Sequence, residues 1–361
     1  MKFPIYVPSI GQREEELVLD CIRSTWISSR GKYIDLFEKA LCESSGSKHA
    51  IAMHNGTHPL HIACLLSGAK SGKEVILPVF TYVASANSVL YCNAKPVFVD
   101  VNEDDWNINT QLVSSHISSD TVAIMPVDIY GYPADYNALR VIVSGSKIKL
   151  IADAAESFGA TYHGQQSGSL GDLNSFSFFG NKTITTGEGG ALLLNSDDWN
   201  TLARQLKNQG NSNTERYFHD VLGYNYRMTN IQAAIGLAQL ERANEIVRRK
   251  KEIYHRYKTN LESYVTFQKE KKGVSSSNWL ISFCLPTNVD REKFCNSLEA
   301  VGIETRPFFR PMDELPYFPS GNYPVAKEIS MRGVSIPSYP ALSDEDVDYI
   351  SERILDAIKT K

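Results

Sequence analysis

Lys182 stands in a glycine-rich turn between two apolar runs, Phe176-Ser177-Phe178-Phe179-Gly180-Asn181-Lys182 continuing through Thr183-Ile184-Thr185-Thr186-Gly187-Glu188-Gly189-Gly190. An amine held against a sheet loses hydration, its pKa falls, and the neutral form can make a Schiff base with an aldehyde cofactor. The glycines after it allow close backbone approach and positive φ. Taken alone, an ordinary surface lysine is the competing reading. A second group is Asp153, in Ile151-Ala152-Asp153-Ala154-Ala155-Glu156-Ser157. A carboxylate at the carboxyl end of a buried parallel strand faces the crevice where open α/β sheets bind ligands. Asp153 there can pair with a protonated pyridine nitrogen and keep the ring an electron sink, or simply cap a following helix. A third is Asn55-Gly56-Thr57, where backbone N–H groups at a helix start make a phosphate seat to which Ser177 adds a hydroxyl. A plain strand-to-helix turn would look the same. Tyr82, at the next strand end, offers a ring to lie on a flat cofactor, with core packing as the equal alternative.

These residues need a frame, and the alternation of β-branched runs with helical patterns supplies one. Strands are expected at residues 50–53, 74–77, 96–99, 122–125, 150–152, 175–179 and 191–194, with a helix over 59–67 after the first. That makes a large, mainly parallel sheet of about seven strands. The expected division is a large α/β domain over 1–240 and a smaller C-terminal α/β subdomain over 241–361, entered by one long charged helix through residues 239–256. The second part holds a strand at 280–285, a helix at 291–300, a strand near 303–306 and a closing amphipathic helix. Val347, Ile350, Ile354 and Ile358 recur there at helical spacing, behind Ser343 as N-cap. Residues 270–277 read as a flexible loop.

Composition excludes several classes. The chain has 361 residues, 42% hydrophobic and 22% charged, with a formal net charge of -4, which argues against a nucleic-acid partner. The basic cluster Arg248-Arg249-Lys250-Lys251 reads as a solvated helix face. Met1-Lys2-Phe3-Pro4-Ile5 has no apolar h-region and no cleavage-like site, so no secretory signal is expected, and no apolar run approaches the roughly 18 residues of a membrane span. The six cysteines are scattered without metal-ligand spacing, so no metal and no disulfide framework are expected. A cytoplasmic enzyme without membrane contact is the simplest setting.

Taken in order, Asn55-Gly56-Thr57, Thr81-Tyr82, the Asp153-to-Glu156 segment, the Lys182 turn, Gly223-Tyr224-Asn225-Tyr226-Arg227-Met228 and Thr305-Arg306-Pro307-Phe308-Phe309 resemble the DegT-type sugar aminotransferases over nearly the whole chain. That family has the aspartate-aminotransferase fold, fold type I of the pyridoxal 5'-phosphate enzymes. The resemblance implies that Lys182 forms the Schiff base, Asp153 meets the pyridine nitrogen and Glu156 lies near the cofactor's 3-hydroxyl. It implies that Gly56, Thr57 and Ser177 hold the phosphate, that Tyr82 stacks on the ring, and that Asn225 reaches the phosphate from a neighbouring subunit of a homodimer. It further implies L-glutamate as amino donor and a nucleotide-linked keto-sugar as acceptor. The strings Ser24-Thr25-Trp26-Ile27-Ser28-Ser29, Phe178 to Lys182 and His219-Asp220 are similar to the branch that aminates C4 of GDP-4-keto-6-deoxymannose. The branch acting on the dTDP-linked gluco sugar shares much of this pattern. Trp26, His219, Arg227 and Arg306 are the candidate substrate contacts, with ordinary surface hydrogen bonds as the alternative.

Asp128 and Asp313 stand where the family often has histidine, and His58-Pro59 replaces small residues. A dehydratase of the same fold would carry histidine at Lys182. A non-catalytic regulatory relative would be expected to lose Lys182 or Asp153, and both are present.

Overall fold

The computed structural model describes residues 1–359. Two helices, α1 (Gln12–Arg23) and α2 (Lys32–Ser45), precede β1 (His49–Met53), α3 (Thr57–Leu66), β2 (Glu74–Pro78), α4 (Val83–Tyr91) and β3 (Lys95–Val99). The short helix α5 (Thr110–Val113) leads to β4 (Thr121–Ile124), α6 (Tyr136–Val143) and β5 (Lys149–Asp153). A small ribbon, β6 (Thr161–Tyr162) and β7 (Gln165–Gln166), precedes β8 (Leu173–Ser177), β9 (Gly190–Leu194) and α7 (Asp197–Lys207).

Seven strands form one sheet in the order β1-β9-β8-β5-β4-β2-β3. Neighbours from β8 to β3 run parallel; β9 is antiparallel to both β1 and β8. The strands read as near-continuous apolar runs because both faces are covered. Ile51 and Met53 of β1 enter one core while Ala50 and Ala52 enter the other, and Leu192 and Leu193 of β9 divide in the same way. The expected seven-stranded sheet is therefore present. Its sixth strand ends at Ser177 rather than Phe179, which frees Phe179 to Lys182 for the turn.

The charged helix is two helices, α8 (Asn230–Glu241) and α9 (Ala243–Leu261), broken at Arg242. The N-terminal segment and α1 pack at the break. Arg242 donates to Ser9 Oγ at 2.6 Å and pairs with Glu14 at 3.8 Å, and the buried Gln239 donates to the Ser9 carbonyl at 2.8 Å. A second correction concerns the basic cluster. Lys250 is fully buried, and its Nζ donates to the Ser338 carbonyl at 2.7 Å.

Beyond α9, β10 (Thr266–Phe267), β11 (Val274–Ser275) and β12 (Ile281–Cys284) precede α10 (Arg291–Ala300), β13 (Arg306–Pro307), α11 (Pro324–Arg332), β14 (Gly333–Ile336) and α12 (Asp344–Lys359). An antiparallel sheet β10-β12-β14-β13 packs Ile281, Phe283, Val334 and Ile336 against Ile253 and Tyr257 of α9, Phe294 of α10 and Val347, Ile350 and Ile354 of α12. Ser343 caps α12 as expected, its hydroxyl accepting the Asp346 N–H at 3.1 Å. The strand expected near 303–306 is the two-residue β13. Val274 and Ser275, expected in a loop, pair with Tyr162 and Thr161. Phe3 joins the C-terminal core, whereas Ile5 enters the large one, so the N-terminal segment links both.

Candidate active site

The carboxyl ends of β5 and β8 and the N-terminus of α3 converge on a cleft of about 480 Å³, within the usual size for a small-ligand site. Lys182, Asp153, Glu156, Ser177, Gly56, Thr57, Tyr82 and Arg306 all line it.

Asp153 ends β5 and is 4% exposed. No helix starts directly after it, so helix capping is not its role. One oxygen accepts the Ser85 hydroxyl at 2.6 Å and the other the Ala155 N–H at 3.2 Å. Burial lifts its pKa above the ordinary aspartate range, against the pull of Ser85, Ala155 and Lys182. Such a carboxylate is short of one close cation, and the protonated nitrogen of a pyridine ring fits that need. Sequence reading passed over Ser85. It sits in the first turn of α4, three residues after Tyr82, and Thr81 Oγ1 lies 2.8 Å from its oxygen, completing a chain of hydroxyls onto Asp153.

Lys182 is held from both sides. Its N–H donates to the Phe179 carbonyl at 2.9 Å, and its own carbonyl accepts the Tyr6 hydroxyl at 2.8 Å. Its Nζ lies 3.8 Å from Glu156 Oε1 and 3.8 Å from the centre of the Trp279 ring. Burial holds the amine below the ordinary lysine range, partly offset by Glu156 and Asp153. Burial likewise pushes Glu156 up to about 7, opposed by Lys182 and by the Tyr130 N–H, which donates to Glu156 Oε2 at 2.7 Å. A desolvated amine between two carboxylates is set to bond an aldehyde and to exchange protons near neutral pH.

At the α3 end, Asn55 Oδ1 already accepts the N–H groups of Thr57 and His58, at 3.0 and 3.2 Å. The free N–H groups expected there are thus partly taken, leaving the Thr57 and Ser177 hydroxyls and the helix end as the anion seat. A Cβ on Gly56 would lie 2.6 Å from Ser177 Cβ, so only glycine lets the α3 end and β8 close on one another. Tyr82 is 58% exposed at the cleft mouth, its ring 5.7 Å from that of Phe309. Arg306 lies 3.6 Å from Glu304, close enough to be steadied and far enough to take another anion. An aldehyde-bearing pyridine phosphate, pyridoxal 5'-phosphate, fits this donor set: an amine, a ring-facing carboxylate and a hydroxyl-lined helix end.

Trp26, His219, Asn225 and Arg227 do not line this cleft. Trp26 is 56% exposed beside α1, His219 Nδ1 contacts the Gln209 carbonyl at 2.8 Å, and Arg227 donates to Asn208 Oδ1 at 2.6 Å. Asn225 bridges to Asn208. The departures from the family pattern have local explanations. Asp128 is buried and accepts from Tyr136, Ser157 and the Ala134 N–H. Asp313 pairs with Lys327 at 3.2 Å, and His58 stacks on Tyr226 with centroids 3.6 Å apart.

Sequence reading also missed Trp279 as a wall of the cleft, since it lies 97 residues beyond Lys182 with no local signal. Among the described residues, no group of histidine, cysteine or carboxylate side chains is arranged for a metal, and no helix is long and apolar enough to cross a membrane.

The chain resembles known proteins along its length. It is 43% identical to a GDP-perosamine synthase of Escherichia coli O157:H7, covering 98% of both chains, and 42% identical to one of Vibrio cholerae, covering 96% of both. The PLP form of a putative sugar aminotransferase of Streptococcus pneumoniae superposes with a TM-score of 0.93 at 28% identity, over 99% of both chains. The α/β architecture of fold type I is therefore the one present. Residues 8–355 match the model of the DegT/DnrJ/EryC1/StrS aminotransferase family, and the chain belongs to that family.

Proposed function

We propose that the protein transfers the amino group of L-glutamate to a nucleotide-linked 4-keto-6-deoxy sugar, converting GDP-4-keto-6-deoxymannose to GDP-perosamine for polysaccharide synthesis. The placement of the buried Lys182 amine, between Glu156 and the indole of Trp279 and beside Asp153, carries the amino-transfer reading. The choice of sugar rests on the two perosamine-forming relatives at 43% and 42% identity.

Bound in the cleft, pyridoxal phosphate supplies an aldehyde for amines and a conjugated ring that delocalises a carbanion's electrons. Gly56, Thr57 and Ser177 would hold its phosphate, with Asn225 of a neighbouring subunit, and Tyr82 would offer its ring to the cofactor. Asp153 would meet the ring nitrogen with a negative charge, steadied by Ser85. Lys182 Nζ, once free, removes a proton from the α-carbon of glutamate and later returns one at the carbon bearing the new amine. The outcome balances: one water gives its oxygen to glutamate, which leaves as 2-oxoglutarate, and the ketone oxygen of the sugar leaves as one water while nitrogen takes its place. Arg306 offers a cation at the cleft mouth for a substrate carboxylate or phosphate. Trp26, His219 and Arg227 lie outside the chain's own cleft and serve substrate only from a partner subunit.

A homodimer is part of the reading. Tyr217 and Leu222, 83% and 85% exposed, precede Asn225 in a segment that presents large apolar side chains to solvent. The chain divides accordingly into a cofactor-binding part over 1–240 and a smaller part over 241–361, whose last two residues lie outside the described ones. The test is a glutamate-dependent assay across GDP-, dTDP- and UDP-linked 4-keto-6-deoxy sugars. Preference for the GDP sugar with release of 2-oxoglutarate is expected. Preference for the dTDP sugar would move the assignment to a viosamine-forming enzyme, and no turnover with any of them would refute the reading.

A further inference from the structure

Amino transfer as described needs the Lys182 amine but not the indole beneath it. Ser277, Asn278 and Trp279 connect β11 to β12, and this connection is fastened to the large sheet. The Ser277 N–H donates to the Gly131 carbonyl at 3.0 Å and its hydroxyl to the Glu156 carbonyl at 2.8 Å. Gly131 has φ +95°, and a Cβ there would lie 2.3 Å from Ser277 Oγ, so this fastening requires glycine. Asn278 then turns the chain at φ +52°.

Trp279 emerges from that turn against the lysine loop. It is 4% exposed; its Nε1–H donates to the Asn181 carbonyl at 2.7 Å, and the Lys182 Nζ lies 3.8 Å from its ring centre. Tyr130 backs it, with ring planes 12° apart. The amine therefore has an indole face as one neighbour and the Glu156 carboxylate as another. One side chain from the C-terminal part contacts both the peptide preceding Lys182 and the amine of Lys182 itself.

We propose that Trp279 is a positioning residue for amino transfer: its N–H fixes the lysine turn, and its ring face seats the Lys182 ammonium between proton transfers. The inference rests on the aminotransferase reading above. A cation over an indole out of water is held more tightly than over any other aromatic ring. The seat keeps the amine within reach of the reacting carbons, where a displacement of about 1 Å costs orders of magnitude in rate. Burial disfavours the ammonium while Glu156 and Asp153 favour it, and the indole face 3.8 Å from Nζ adds an attraction for the cation. Tyr82, Tyr130, Glu188 and Arg306 complete the charged and titratable lining of the cleft.

Trp279→Phe tests this, because it keeps an aromatic face with weaker attraction for a cation and removes the N–H. In the full-length chain stripped of cofactor, reductive methylation of Lys182 is followed against pH by peptide mass spectrometry. The variant's midpoint is expected to fall by about half a pH unit, since the protonated amine has lost a partner. In the loaded enzyme, the glutamate half-reaction is expected to slow about tenfold at unchanged KM, with a larger isotope effect from 2-deuterated glutamate. Trp279→Tyr should recover part of both effects. An unmoved or raised midpoint, or a rate loss without growth of the isotope effect, would make Trp279 mere wall packing. A midpoint that shifts in a protein inactive with every amino donor would refute the reaction and leave the seat standing.

Discussion

At the scale of single residues, the chemistry rests on what burial does to three groups. Burial weakens the Lys182 ammonium, lifts Glu156 to about 7 and lifts Asp153 above the ordinary aspartate range, against Ser85 and the Ala155 N–H, which hold the anion. Ser85 is therefore the residue to perturb. Ser85→Ala removes the 2.6 Å hydrogen bond while leaving the carboxylate in place. A charge-assisted bond is worth about 1.5–3 kcal/mol, so a slowing of the glutamate half-reaction by roughly ten- to a hundredfold is expected. Stopped-flow absorbance measures it, and a wild-type rate would mean that Asp153 does not need this support. The sequence made Lys182, Asp153, Gly56 and Thr57 legible because each sits in a short, self-contained string. Ser85 and Trp279 were not legible, since their roles depend on partners 68 and 97 residues away.

At the scale of elements, the same contrast holds. The parallel strands announce themselves as apolar runs closed by turn residues, and each was placed within a few residues. The helix through 239–256 reads as continuous because its local pattern is, while the break at Arg242 goes with contacts to the distant Ser9 and Glu14. Lys250 was misread for a related reason: four adjacent basic residues look solvated, yet on α9 one of them points at the Ser338 carbonyl. Burial lowers the Lys250 pKa from 10.5 to about 7. Between those values the unfolded chain binds the proton and the folded one does not, so folded stability rises with pH across the window. The cost of burying Lys250 is thus fully present below about pH 7 and fades towards pH 10. Lys250→Met should stabilise the protein below neutrality by up to about 3 kcal/mol, and the difference should shrink as pH rises. Urea unfolding at pH 6.5 and at pH 9.5 measures it. A difference independent of pH would show that Lys250 stays charged, held by contacts other than the Ser338 carbonyl.

At the scale of the whole molecule, two sheets and a threaded N-terminus build one cleft, and the proposed homodimer completes it. Lys182 and Asn225 would then belong to different chains in each site. Lys182→Ala and Asn225→Ala, each weak or inactive alone, should regain up to about a quarter of wild-type turnover when unfolded together and refolded as mixed dimers. Mixed dimers as inactive as the parents would place Asn225 outside the shared site. The central claim is narrower than dimer or sugar: amino transfer takes place on the Lys182 amine. Its most direct test is the absorption spectrum of the purified protein during titration with L-glutamate. The account predicts a visible band that glutamate converts to an ultraviolet one, with both the conversion and turnover lost in Lys182→Ala. A Lys182→Ala protein that still turns over at the wild-type rate would contradict it.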